Sequence, residues 1–236
     1  MCKLNFLEDS YVSIYEYFGS NCYIIISHDE AIIIDPHTSK EIENLLIEKN
    51  IKKLVIILTH EHCDHISGIW WYLEKYECKI ICSEMCAAQI SNKKCTRPLM
   101  ISFKLQEDDI KNGTNKLQQF KEDYVWTTYN ADITFKDKMH YVWNNHNFEF
   151  RVIRGHSEGS CFILLDNKYV FSGDSLLKEF PIITSFPNGN KYIYLNESIP
   201  IMEKKLKADM IVLPGHGEPF RLEDIMKNGE INVELR

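Results

Sequence analysis

The chain contains no apolar run approaching the roughly 20 residues a membrane-spanning helix needs, so a helical membrane protein is excluded. It has no excess of positive charge. Twenty-seven Lys and Arg stand against 34 Asp and Glu, a formal net charge of −7, and neither nucleic acid nor a membrane surface is an expected partner. The first nine residues, Met1-Cys2-Lys3-Leu4-Asn5-Phe6-Leu7-Glu8-Asp9, lack the apolar stretch of a secretory signal, which makes a cytoplasmic location the expectation. There is no internal repeat and no low-complexity segment. Nor do the eight cysteines, at 2, 22, 63, 78, 82, 86, 95 and 161, follow a common zinc or iron–sulfur spacing. Cys78, Cys82, Cys86 and Cys95 cluster, and Cys82 and Cys86 would face each other if that stretch were helical. Reduced, buried thiols are the expectation for them.

What remains is an ordinary globular composition, 44% hydrophobic and 26% charged over 236 residues, enough for one substantial domain. Residues 21–26 and 31–35 read as two buried strands. Thr38 followed by Glu41 resembles a capping box, opening a helix with Ile42, Leu45 and Leu46 on one face. A strand at 54–58, a helix around 70–73 and a strand at 79–82 continue the alternation, which implies crossover units and a sheet with helices packed on it. Residues 92–131 break this rhythm and read as an inserted, partly helical excursion. Strands return at 148–153, at 161–165 and at 169–171, the last two as a hairpin around Asp166-Asn167-Lys168. A helix near 198–206 and a strand at 210–213 close the series.

At the end of the strand Leu54-Val55-Ile56-Ile57-Leu58 stands Thr59-His60-Glu61-His62-Cys63-Asp64-His65. Three imidazoles and a carboxylate in six residues, as H-x-H-x-D-H, are the ligands that borderline metals such as zinc prefer. Cys63, inside this loop, reads as a neighbour of the ligands and not as one of them. Three weaker motifs follow other strands: Arg154-Gly155-His156-Ser157, Ser172-Gly173-Asp174-Ser175 and Pro214-Gly215-His216-Gly217. Each puts one ligand-type side chain beside a glycine, which lets the backbone turn sharply or approach a site closely. Four such loops could converge on one edge of a sheet.

This ordered series, from Asp35 to His216, resembles the metallo-β-lactamase superfamily, and within it the glyoxalase II-like branch. The resemblance implies an α/β fold, a four-layer αβ/βα sandwich with the metal site at one edge of the two sheets. It implies one domain over 1–236 with the insertion at about 92–131. His60, His62 and His156 would bind a first metal and Asp64, His65 and His216 a second, with Asp174 bridging them and Asp35 orienting the ligand loop. Asp64, His156 and Asp174 would be the catalytic members of that set. Two Zn2+ ions are the implied cofactors, since zinc lowers the pKa of bound water to about 7, and no organic cofactor is expected. The implied activity is hydrolysis of a small-molecule thioester, ester or lactone by a metal-bridging hydroxide. The alternative on the same fold is a persulfide dioxygenase, an oxidoreductase holding a single iron with His60, His156 and Asp174.

The chain departs from its relatives in three respects. Only residues 218–236 follow Gly217, too few for the helical extension with which glyoxalase II grips glutathione. Arg154 stands where relatives often have proline, and would either greet an anionic substrate or pair with Glu158. The 92–131 insertion and residues 181–187 have no counterpart, and such loops usually shape substrate choice. Trp126, Tyr129, Tyr124 and Phe186 are candidates for a substrate wall. His28, His37, His140 and His146 read as turn or surface residues, with His37 favoured as a neighbour of the ligands because it follows Asp35-Pro36.

Overall fold

Runs such as Tyr23–Ile26 and Ala31–Ile34 are apolar at every position, which a strand needs only when both of its faces are covered. The computed structural model, which describes every residue but Phe6 and Glu8 and every side chain but that of Met100, covers both faces of each. Ile24, Ile33, Ile56 and Ile80 point toward helices, where Ile42, Leu46, Ile69, Tyr72 and Ile90 meet them. Their alternates Ile25, Ile32, Ile57 and Ile81 point toward a second sheet, against Phe148, Phe150, Ile163, Phe171 and Leu213. The outer face of that second sheet, with Phe162, Leu164, Val170 and Val212, packs on Tyr194, Met202 and Leu206. Three cores between four layers are the αβ/βα sandwich. Each large side chain buried this way contributes about 1.5–3 kcal/mol before entropy is counted.

The first sheet has the order β1(Cys2–Lys3), β2(Ser10–Ile14), β3(Asn21–Ser27), β4(Glu30–Ile34), β5(Lys53–Ile57), β6(Glu77–Ser83), β7(Ile133–Phe135). Its first four strands run antiparallel and the last four parallel. The helices α1(Lys40–Glu48), α2(Cys63–Ile66), α3(Ile69–Lys75), α4(Glu84–Ile90), α5(Leu99–Asn112) and α6(Lys116–Asp123) fill its connections. The second sheet comprises β8(Lys138–Trp143), β9(His146–Val152), β10(Cys161–Leu165), β11(Tyr169–Gly173), β12(Ile211–Pro214) and β13(Phe220–Arg221). Between β11 and β12 runs one interrupted helical stretch: α7(Lys191–Ile193), a π turn at Tyr194–Ser198 and α8(Ile199–Lys205). A short ribbon, β14(Met226–Lys227) with β15(Glu230–Ile231), follows. Among the described residues no helix is long and apolar enough to cross a membrane.

Several local expectations shift. The cap of α1 is Ser39, whose hydroxyl accepts from the Ile42 amide at 3.1 Å; Thr38 lies one residue outside. Both residues are good caps, and the start of the buried face at Ile42 selects the later one. Strand β8 was not anticipated, because its burial alternates with exposed Lys138, His140 and Val142. Its turn, Asn144-Asn145, has φ of 45° and 69°, the left-handed pair that a tight hairpin requires. Cys82 lies near the end of β6, as the strand reading of 79–82 has it, and Cys86 sits in α4, so the two do not share a helix and meet across a strand–helix corner. All eight cysteines are free thiols; of the cluster, Cys95 is exposed against the expectation of burial, and Cys2 is exposed as well.

The 92–131 segment is helical over α5 and α6 and builds a small core of Ile101, Leu105 and Phe120 against Tyr17, Phe18 and Cys63. It therefore rests directly on the loop that carries the H-x-H-x-D-H motif.

Candidate metal centre

Strands β4 and β5 are parallel neighbours, as are β11 and β12, so residues following each pair emerge at the same end. That end is where ligands collect in sheets of this kind. Asp35 follows β4, residues 59–66 follow β5, Asp174 follows β11 and His216 follows β12; the His156 loop joins β9 to β10. The two sheets are stitched together there. The Cys161 amide donates to Thr59 O at 2.9 Å, and the Asn21 amide to Gly215 O at 2.7 Å. The Asn21 side chain donates to Pro214 O and Gly217 O. Asn21 was not singled out from sequence, where it reads as the first residue of a strand.

The two sheets bring all seven expected donors together. Ring nitrogens of His60, His62 and His156 converge: His62 Nδ1 lies 3.1 Å from His60 Nε2 and 2.9 Å from His156 Nε2. Asp64, His65 and His216 form a second group, with Asp64 Oδ2 3.4 Å from His65 Nε2 and 3.3 Å from His216 Nε2. In each group the donor atoms all lie within 4.8 Å of one another. Asp174 stands between the groups, its oxygens 3.5 Å from His65 and His216 and 3.6 Å from His156.

Asp35 organises both groups. One oxygen accepts from the Thr59 amide at 2.8 Å; the other accepts from Thr59 Oγ1 at 2.6 Å and faces His65 Nδ1 at 3.0 Å. Because the Thr59 hydroxyl spends its proton on Asp35, it can only accept from His60 Nδ1, 3.0 Å away. His60 and His65 therefore keep their Nδ1 protons outward and aim Nε2 into the site. His156 does the same, with Nδ1 donating to Ile183 O at 2.8 Å. Such outer partners fix tautomer and ring orientation. Asp35 itself is held at φ +54°, a conformation Asp tolerates better than most residues.

Two glycines are demanded by closeness. A Cβ on Gly173, whose φ is +50°, would stand 2.4 Å from Thr59 Oγ1, and one on Gly215 would stand 2.2 Å from Asp174 Oδ1.

The electrostatics separate the two groups. Burial drives the imidazolium forms of His60, His62 and His156 down, His62 to about 3, so these rings are neutral and offer lone pairs. Burial also opposes charge on His65, but Asp64, Asp174 and Asp35 outweigh it and carry His65 up to about 10. The carboxyls of Asp64 and Asp174 are penalised by burial, yet the facing histidines hold them below the usual carboxylate range. Against its burial, the same carboxylates raise His216, so two buried carboxylates draw positive charge to this end of the site, which without a metal the two imidazoles must carry. His65 Nε2 and Asp174 Oδ1 are buried without a hydrogen-bond partner, an arrangement costly in a protein interior. Neutral ring nitrogens facing one another in one group, two buried carboxylates in the other and two buried polar atoms without a partner are what a pair of divalent cations would resolve.

Glu61 was not recognised in the sequence. It sits inside the motif, buried, with Oε2 accepting from Ser157 Oγ at 3.0 Å and Oε1 from the Gly159 amide at 3.4 Å. Ser157 is tied in turn to Ser160, and Ser83 Oγ donates to Gly159 O. A carboxylate pointing inward beside the candidate histidines thus clamps the loop that presents His156. Glu61→Ala is expected to weaken metal retention about 10–100-fold, the usual effect of losing an outer partner, with little change in the far-ultraviolet dichroism. Competition with a chelator reads this, and unchanged retention would mean the clamp does not position His156.

Other expectations resolve differently. Cys63 packs against the Phe120 core, and burial pushes its thiol well above the usual value, so it stays protonated. His37 is buried, not at the surface, but it bonds to the carbonyls of Ser13 and Thr38 and stacks on Tyr15. Arg154 is exposed, forms no ion pair with Glu158 among the described residues and lies outside the cavity beside the donors. That cavity, about 610 Å³, runs from His62 and Asp64 to Lys94, Arg97 and Trp126 of the 92–131 segment and to Phe186. Of the four aromatic candidates, Trp126 and Phe186 line it, while Tyr129 belongs to the helix–sheet core and Tyr124 packs on Phe120.

The model of the metallo-beta-lactamase superfamily matches residues 16–216. A Haemophilus influenzae protein named hydroxyacylglutathione hydrolase GloC is 29% identical over 207 residues, 85% of this chain and 86% of that protein. A probable metallo-hydrolase of Bacillus subtilis, YqgX, is 28% identical over 208 residues, 84% of this chain and 85% of that protein. Among solved structures, the BLEG-1 B3 metallo-beta-lactamase superposes with a TM-score of 0.68 at 19% identity, covering 91% of this chain and 95% of that one.

Proposed function

The chain belongs to the metallo-beta-lactamase superfamily, an enzyme fold of metal-dependent hydrolases, and from that premise we propose a binuclear hydrolase acting on small thioesters, esters or lactones. The observation that carries this reading is the completeness of two donor groups sharing one carboxylate. His60, His62 and His156 would hold one ion and Asp64, His65 and His216 the other, with Asp174 reaching both. Divalent ions such as zinc would supply a nucleophile at neutral pH and polarise the carbonyl under attack. The chain's own residues do the rest. Asp35, through Thr59, and Ile183 O set which imidazole nitrogens face inward, and Glu61 holds the His156 loop in place. The single-iron dioxygenase, which would use only the facial set His60, His156 and Asp174, is the alternative that metal analysis separates from this reading. We read residues 1–236 as one domain, because the 92–131 insertion packs on the motif loop and forms part of the cavity.

Metal analysis of the protein as purified tests the proposal. About two zinc ions per chain are expected, together with hydrolysis of some member of a thioester, ester and lactone panel that stops on chelation. A single iron per chain, with oxygen consumption, would overturn it. His156→Ala is expected to lower hydrolysis by more than about 100-fold, beyond what losing an outer partner costs, with the fold retained. Normal turnover by that variant would place the chemistry elsewhere.

A further inference from the structure

The cavity is polarised. At the donor end its acidic members are both engaged: Asp64 lies among the histidines, and Glu61 is bonded to Ser157 and Gly159. At the other end the 92–131 segment presents Lys94 and Arg97 with no carboxylate among the lining residues there. Neither cation is ion-paired among the described residues. Arg97 instead lies against the Trp126 ring, 5.7 Å from its centroid, and the Trp126 indole is anchored by donating to Lys93 O at 2.9 Å. A guanidinium lying against a ring keeps its N–H groups free to chelate an anion. On a chain of net charge −7, two unpaired cations facing one cavity are not a reflection of general composition.

We propose that this end of the cavity is an anion subsite, so that the substrate carries a carboxylate or phosphate on the arm remote from its scissile bond. The subsite deepens the hydrolase reading and rests on it for the location of the scissile bond. About 610 Å³ accommodates far more than a small acyl group, since pockets of roughly 300–1,000 Å³ take whole drug-sized ligands. The aromatic walls Trp126 and Phe186 cover the apolar part of such an arm. Arg97 would bind the anion in a forked geometry and Lys94 as a point charge. Both are solvent-accessible, so the selectivity is moderate and falls with salt.

The test compares acetyl thioesters of ω-mercaptocarboxylic acids, two to six methylenes long, with their carboxamides and with ω-mercaptoalkyl phosphates. Zinc-loaded protein is expected to prefer the anionic probes by about 10-fold or more in kcat/KM at low salt. The better of carboxylate and phosphate identifies the source of the anion. In Lys94→Gln/Arg97→Gln the anion-to-amide ratio is expected to approach one, and in Arg97→Glu to fall below one. Equal rates for acid and amide with the unaltered protein, or a preference that survives the double variant, would overturn the subsite. The non-hydrolysable ketone analogues, with methylene in place of sulfur, give a second readout through tryptophan fluorescence. Anion-selective binding that is lost in the double variant, with no hydrolysis of any thioester, would keep the subsite and sink the hydrolase reading. Hydrolysis without anion selectivity would do the reverse.

Discussion

Asp174→Ala is expected to purify with no more than one metal ion per chain and to lose hydrolysis by about 10³-fold. Asp174 is the side chain whose oxygens lie within 3.6 Å of histidines from both donor groups, His156 on one side and His65 and His216 on the other. Removing it leaves three donors on each side and nothing shared. It also removes one of two carboxylates that draw cations to a buried site. A metal's charge stabilisation is worth several kcal/mol, and each 1.36 kcal/mol is tenfold in rate, which sets the size of the loss. Metal analysis and a rate on the best panel substrate check it. Two ions retained per chain would remove Asp174 from the bridging position.

Asp35→Ala is expected to damage stability and metal binding together. Three buried donors, the Thr59 amide, Thr59 Oγ1 and His65 Nδ1, lose their acceptor at once. At about 1–3 kcal/mol for each group left unsatisfied, the combined loss is about 3–9 kcal/mol, comparable with a typical domain's stability of about 5–15 kcal/mol. Alanine is also strained at φ +54°. Asp35→Asn separates the effects. It tolerates that backbone and still accepts from the Thr59 amide, but an NH₂ in place of the second oxygen faces two donors and cannot set the His60 and His65 tautomers. That variant is expected to lose much less stability in urea than Asp35→Ala, because the Thr59 hydroxyl and His65 Nδ1 can turn to accept from the NH₂, while it binds zinc about 10–100-fold more weakly. Unaltered zinc affinity in Asp35→Asn would show that the tautomers are set by something other than this carboxylate.

Much of the fold was legible because its signals are local. Unbroken isoleucine runs announce strands covered on both faces, and β3, β4, β5 and β6 fall where those runs lie. β8 escaped because alternating exposure in Lys138–Trp143 dilutes the apolar signal, and the cap of α1 was misplaced by one residue because the Thr38-to-Glu41 spacing mimics a capping box beside the better cap Ser39. Arg154 was read beside the site on sequence adjacency to His156, but the tight turn at Gly155 sends it to solvent. Glu61 and Asn21 were missed for a shared reason. A carboxylate between two histidines, or an asparagine opening a strand, carries no pattern of its own, and the partners of both lie far along the chain, at residues 157–159 and 214–217.

By itself the sequence determined which donor types exist, that each follows an apolar strand, and that three of the four loops bearing them are glycine-marked. These are properties of neighbouring residues and of strand period. Only the tertiary structure decided that β4 with β5, and β11 with β12, run parallel and so deliver four loops to the edge where the β9–β10 loop brings His156. It also decided that one carboxylate reaches both histidine groups, that Asp35 governs a ring in each, and that an insertion with no motif brings Lys94 and Arg97 over the same cavity. The physical reason is that a donor's identity is chemical and local. Its convergence with others depends on two sheets packing face to face, which buries the isoleucines and phenylalanines between them and carries the loops along.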